Sequence, residues 1–136
     1  MNDAKEWLLI EAKANQQELH SSCQAKEAGG RSLIAQTLTA IKERLGVAAD
    51  RDWLAGYYQY ANRIAVLSLL GQAKVPARLL NVYFTGDLGD ERRSCPGDTQ
   101  GWAEALASLK AHIGLPRGHT LEGRMHELFL PVCPAG

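Results

Sequence analysis

The sequence predicts a single α/β domain with a mixed central sheet flanked by helices. Apolar runs of strand length cover residues 7–10, 78–85 and 126–132, and stretches with apolar residues at helical spacing separate them. The order along the chain is therefore strand, helix, helix, strand, helix, strand. Strands joined by helical crossovers belong to one parallel or mixed sheet.

The first element, residues 6–14, has two interpretations. Residues 7–10 are apolar on every side, which favours a strand covered on both faces. The flanking residues are mostly good helix formers, which favours a helix. We adopt the strand, followed by a turn or short helix over 15–20. The choice matters because Glu11 and Lys13 share one face of a strand but point about 200° apart on a helix.

Two helices follow the first strand. Ser32 suits the N-cap of the first, and Gly46 suits its left-handed C-cap. The second is expected to start after Asp50 or Asp52 and to end at Gly71. Its apolar stripe consists of Trp53, Tyr57, Tyr60, Ala61, Ile64 and Leu67.

The remaining elements are a buried strand over 78–85, a third helix and a last strand over 126–132. Asp98 or Thr99 caps the third helix. Pro131 lacks a backbone N–H, so the last strand should end at a sheet edge or a bulge. The residues of the third helix that are expected to face the core are Trp102, Leu106, Leu109 and Ile113.

The composition is that of a globular cytoplasmic protein. Of 136 residues, 46% are hydrophobic and 22% are charged, and the net charge is zero. No apolar run reaches the length of a membrane span, and no secretion signal is apparent. Three cysteines without a Cys-x-x-Cys pair indicate free thiols. Zero net charge argues against binding nucleic acid over a broad surface, but it permits a local basic patch.

Glu11 and Lys13 form the first candidate site. On a strand the two side chains lie side by side, so Glu11 would offer a carboxylate oxygen to Mg²⁺ or Mn²⁺. Lys13 would orient or help deprotonate a metal-bound water and offset charge on a phosphoryl group. The alternative is a solvated ion pair at a strand end, because a Glu-x-Lys triplet often arises by chance.

Gln59 and Arg63 share one flank of the predicted second helix, away from its apolar stripe. Both could contact a phosphate, with Arg63 donating two hydrogen bonds. The alternative is an ordinary solvated helix face.

Two other groups invite a chemical interpretation. His20 and Cys23 could pair as base and nucleophile if the fold brought them together. Asp87, Asp90 and Glu91 follow the second strand, where open α/β sheets collect ligands. A polar surface loop is the simpler explanation of the three acids.

The segments "WLLIEAKA" and "RLLNVYF", with the helices between them, resemble the restriction-endonuclease-like or PD-(D/E)xK nucleases, closest to small bacterial members. Glu11 then corresponds to the acidic residue of (D/E)xK, and Lys13 to its lysine. The resemblance implies metal-dependent hydrolysis of DNA phosphodiester bonds with Mg²⁺ or Mn²⁺. Some of these nucleases carry a Gln-x-x-x-Tyr motif on the following helix. In this chain Gln59 matches its glutamine, but Arg63 stands at the position of its tyrosine.

One departure from the family concerns its first motif, an Asp on a preceding strand. Only residues 1–6 precede the strand here, and Asp3 lies at the start of that same strand. We therefore expect a core that lacks part of its N-terminal hairpin and an incomplete metal site. The alternative function is a catalytically inactive nuclease-fold binding or assembly module. The first strand's open side also predicts a homo-oligomer or pairing with a partner.

Overall fold

The computed structural model describes residues 5–86 and 95–132. Its main elements are β1 (Trp7–Lys13), α1 (Arg31–Leu45), α2 (Tyr58–Gln72), β2 (Ala77–Thr85), α3 (Thr99–Ile113) and β3 (Met125–Pro131). Short 3₁₀ helices cover Gln16–Leu19, Glu27–Gly29 and Glu122–Arg124. The predicted order of strands and helices is confirmed. None of the described helices combines the length and apolar content needed to cross a membrane.

The sheet has three described strands in the order β1-β2-β3. Both pairings are parallel, so the prediction of a mixed sheet is wrong for this part of the chain. The reason is that helices connect consecutive strands and return the chain to the same end of the sheet. The register aligns Glu11 with Asn81 and Asn81 with Glu127, which places one residue of each strand in a single row.

All three helices lie on one side of the sheet. Arg63 of α2 contacts Glu11 of β1, and Trp102 of α3 packs on Tyr83 of β2 with ring centroids 5.1 Å apart. Helix α1 packs against α2. Right-handed crossovers between strands in sequential order place their helices on the same face. The prediction of a sheet flanked by helices therefore holds for one face only.

No described element covers the opposite face of the sheet. The prediction that β1 is covered on both faces is wrong for the described residues, among which β1 lies at the sheet edge and its Ile10 is 59% exposed. Strand alternation sends Leu9 towards the helices and its neighbours outward. The exposed apolar side chains of this face are Leu8, Ile10, Leu128 and Leu130.

The core lies between the sheet and its helices, and two tryptophans anchor it. The indole N–H of Trp53 donates to the Ile113 carbonyl over 2.9 Å, and that of Trp102 donates to the Phe84 carbonyl over 2.9 Å. Both rings are almost completely buried. Each indole therefore buries a large apolar surface without leaving its polar group unsatisfied.

Two predicted helix starts require correction. Gly30 precedes α1 with a left-handed φ of 87°, and Ser32 lies inside the helix with its hydroxyl donating to Glu27 over 2.6 Å. Helix α2 begins at Tyr58, several residues after Asp52. The Asp52 carboxylate accepts hydrogen bonds from the Leu54 and Ala55 N–H groups, so it caps a turn. The cap of α3 by Asp98 is confirmed, since its carboxylate accepts from Gly101 N–H.

Candidate functional site

Glu11 and Lys13 lie on the helix-covered face of β1, near its carboxyl end. The alternation of the strand puts them on the same side, as predicted. Gln59 and Arg63 lie in the first two turns of α2, above this end of the sheet. Ligands of α/β proteins bind outside the carboxyl ends of parallel strands, so this is a favourable place for a site.

The four predicted side chains meet in one hydrogen-bonded group, which we call the Glu11 cluster. Lys13 Nζ lies 3.0 Å from Glu11 Oε1 and donates to Gln59 Oε1 over 2.8 Å. Arg63 Nε donates to Glu11 Oε2 over 3.0 Å. Each oxygen of the Glu11 carboxylate therefore has its own cationic partner, and the two helix residues reach the two strand residues.

Ser21 connects the segment after β1 to the first turn of α2. Its carbonyl accepts a hydrogen bond from Tyr58 N–H over 3.2 Å, and its hydroxyl accepts from Gln59 N–H over 2.8 Å. These bonds satisfy two of the backbone donors that a helix leaves unpaired at its N-terminus. The segment after β1 thus fixes the first turn of α2 and, with it, the position of Gln59. Sequence reasoning missed this role because Ser21 and Gln59 are 38 positions apart.

The cluster is half-buried and carries a net positive charge. The side chain of Lys13 is 12% exposed and that of Glu11 is 18% exposed, whereas Arg63 is 39% exposed. Two cations against one carboxylate leave one excess positive charge. Arg63 forms the outer rim, where an approaching anion would meet it first.

The ionisation of Glu11 reflects competing effects. Burial on its own would raise the pKa of this carboxyl group, but the hydrogen bonds and charges of Lys13 and Arg63 oppose burial. The net result is a pKa below the ordinary value. Glu11 is therefore ionised at neutral pH, and both cations are held against it.

The cluster offers a divalent metal too few protein ligands to hold it without help from a substrate or water. Residues 5–86 and 95–132 contain no group of three or more His, Cys, Asp or Glu side chains suited to a metal ion. Glu11 supplies the cluster's single carboxylate. Mg²⁺ is commonly bound through one or two carboxylates together with substrate phosphate oxygens and water. One carboxylate fits such a site when a phosphate supplies further ligands.

The other predicted groups do not form sites. The His20 ring lies 5.0 Å from that of Tyr57, whereas Cys23 is buried beside the Tyr58 side chain. No hydrogen bond joins His20 to Cys23 in the described part of the chain, so the structure shows no pairing of base and nucleophile. The predicted acidic group of Asp87, Asp90 and Glu91 lies outside the described residues.

The sequence interpretation missed a polar row across the middle of the sheet. Glu11, Asn81 and Glu127 align in the register, and Asn81 is only 4% exposed on the central strand. A polar residue inside the apolar run 78–85 was the available signal.

No family model matches the chain, and no curated protein or solved structure matches it either.

Proposed function

We propose that the Glu11 cluster binds the phosphodiester backbone of DNA and hydrolyses it with Mg²⁺ or Mn²⁺. The observation that carries the proposal is the convergence of Glu11, Lys13, Gln59 and Arg63 at the carboxyl end of β1. The resemblance to PD-(D/E)xK nucleases supports the same residues in the same roles. On this proposal, the parallel sheet is part of that family's core.

Lys13 and Arg63 have different parts in the proposal. Lys13 is held between Glu11 and Gln59, so its ammonium group is fixed where it can orient a water and offset phosphoryl charge. Arg63 uses Nε for Glu11, and its terminal nitrogens form no hydrogen bond to the described residues. Those nitrogens are available to a phosphate oxygen, and their planar geometry suits it.

Glu11 is the residue that would hold the metal. A bound Mg²⁺ or Mn²⁺ supplies Lewis acidity and a water of lowered pKa. Because Lys13 and Arg63 occupy one Glu11 oxygen each, their charges oppose a dication in the absence of DNA. A backbone phosphate offsets these charges, so we propose that metal and DNA bind cooperatively.

A second candidate function is a nuclease-fold module that binds DNA without cleaving it. The observation in its favour is that both Glu11 oxygens already accept from cations, which makes the cluster a better anion site than metal site. Such a module needs Lys13 and Arg63 for charge and Glu11 only to position them.

We further propose that β1 pairs with a second copy of the chain. Its outer edge has no partner among the described strands, and Leu8 and Ile10 beside it are exposed. An edge strand with unpaired backbone groups and apolar side chains readily adds another strand.

Binding and cleavage can be separated in one experiment. Fluorescence anisotropy with labelled single- and double-stranded DNA in EDTA measures binding alone, and Mn²⁺ or Mg²⁺ is then added to start cleavage. The nuclease proposal predicts shorter products after metal addition. The binding-module alternative predicts binding in EDTA and intact DNA afterwards. Absence of both binding and cleavage would contradict both functions.

A further inference from the structure

A second concave site adjoins the Glu11 cluster, since its lining residue Asn81 is the cross-strand neighbour of Glu11. A cleft of about 720 Å³ lies between the first halves of β2 and β3 and the carboxyl end of α3, with the segment 114–122 at its mouth. Its volume is within the range of small-molecule sites. None of the four cluster residues lines it, so a ligand here would be held by a different set of side chains.

Asn81 forms the floor of this cleft. The residue is 96% buried on the central strand, and its amide makes no hydrogen bond to any residue in 5–86 or 95–132. Every fully inaccessible side-chain nitrogen or oxygen in this part of the chain has a partner. The Asn81 amide must therefore open onto the cleft. The amide therefore has hydrogen-bonding capacity that no described residue uses and that a ligand in the cleft can take up.

Two polar side chains on the cleft wall have defined hydrogen-bonding roles. Burial and the charge of Glu127 raise the pKa of Tyr60, so its hydroxyl stays protonated and can donate. Burial also lowers the pKa of His119, although Glu122 opposes the shift, so the ring is neutral at pH 7. His119 Nδ1 accepts from Leu121 N–H over 3.2 Å, which places its proton on Nε2.

Charges of both signs line the cleft, and one of its walls is apolar. At the mouth, the Glu122 carboxylate accepts from Gly118 N–H over 2.6 Å and forms no ion pair with Arg117. Lys110 Nζ is paired with Glu127 Oε1 at 2.6 Å, so its charge is balanced. Arg117 is exposed and makes no ion pair within the described ranges. Leu115 and Met125 supply apolar surface between the floor and the mouth.

We propose that this cleft binds a nucleotide, with its base on Asn81 and its phosphate on Arg117. The Asn81 amide offers a donor and an acceptor side by side, the arrangement that pairs with the edge of a nucleobase. Leu115 and Met125 contact the ring, and the unpaired guanidinium of Arg117 binds the phosphate. The inference does not depend on DNA hydrolysis, because it uses none of the Glu11 cluster.

The test is isothermal titration calorimetry of the intact chain with AMP, GMP, CMP and UMP, and with the nucleoside of whichever binds. We expect at least one nucleotide to bind, and its nucleoside to bind at least tenfold more weakly. Arg117→Ala should weaken the nucleotide but not the nucleoside, and Arg44→Ala, an exposed arginine on α1, is the matched control. No binding by any of the four at millimolar concentration would overturn the proposal.

Asn81→Ala provides the decisive variant. It should weaken the nucleotide at least tenfold and leave the melting temperature near that of the wild type, because the amide makes no hydrogen bond to the described residues. An Asn81 that merely supports the fold would lower the melting temperature instead. Binding that survives Asn81→Ala but is lost in Arg63→Ala would place the nucleotide on the Glu11 cluster and contradict the inference.

Discussion

Glu11 and Arg63 are 52 positions apart in the sequence, yet Arg63 Nε donates to Glu11 Oε2 over 3.0 Å. This contact joins the edge strand to α2 and gives the carboxylate its second cationic partner. With Lys13 on the other oxygen, Glu11 has become part of a positively charged group. The cluster therefore favours an anion, and any metal bound there must compete with two cations for one carboxylate.

Removing Arg63 should strengthen the binding of a free metal ion. In Arg63→Ala one Glu11 oxygen loses its partner and the cluster loses its excess positive charge, so we expect Mn²⁺ to bind several-fold more tightly in the absence of DNA. Titration of Mn²⁺ followed by electron paramagnetic resonance measures the change. Arg44→Ala should leave the affinity unaltered. An Arg63→Ala protein with wild-type or weaker Mn²⁺ affinity would show that Glu11 does not hold the metal.

The stabilising contribution of Glu11 should depend on pH. Its pKa is lower in the folded chain than the ordinary 4.5, so the ionised group stabilises the fold above that pH. The contribution is lost as pH falls through the lowered folded value. We expect Glu11→Gln to reduce the free energy of unfolding by about 1 kcal/mol at pH 7 and by less at pH 3. Urea unfolding at both pH values provides the measurement, and an equal difference at both would refute this account of the pKa.

Self-association should depend on the exposed side of β1. We expect sedimentation velocity to show the wild-type chain associating as its concentration rises, and Ile10→Lys to be monomeric, because a charge there is buried in the paired state. Leu33→Lys changes a similarly exposed apolar residue on α1 and is the control. A wild-type chain that stays monomeric at every concentration would rule out the pairing.

Local patterns in the sequence predicted the strand pair and the helix pair of the Glu11 cluster, but not the contact between the two pairs. Strand alternation placed Glu11 and Lys13 together, and helical spacing placed Gln59 and Arg63 on one flank. Their meeting depends on how α2 crosses the sheet. The packing of its buried residues and its hydrogen bonds to Ser21 both involve residues far apart in sequence, which no local pattern reveals.

The errors have physical causes of the same kind. Asp52 has the chemistry of a helix cap, but the same carboxylate caps a turn here, so the helix start was placed too early. The apolar run of β1 is typical of a strand in a parallel sheet, and nothing in it reveals whether a second layer covers the other face. The row through Asn81 depends on the register of three strands, which are far apart in sequence.

The most direct test of the central claim is the rate of DNA cleavage by Lys13→Ala in Mn²⁺, measured beside wild type and Lys26→Ala. Lys26 is an exposed lysine outside the cluster, so its variant controls for the loss of one positive charge. We expect cleavage by wild type and Lys26→Ala, and a loss of at least 100-fold in Lys13→Ala, which is the scale for removing a group that acts on the transition state. Thermal melting would verify that Lys13→Ala remains folded. Wild-type cleavage by a folded Lys13→Ala, or none by the wild type itself, would contradict catalysis at this cluster.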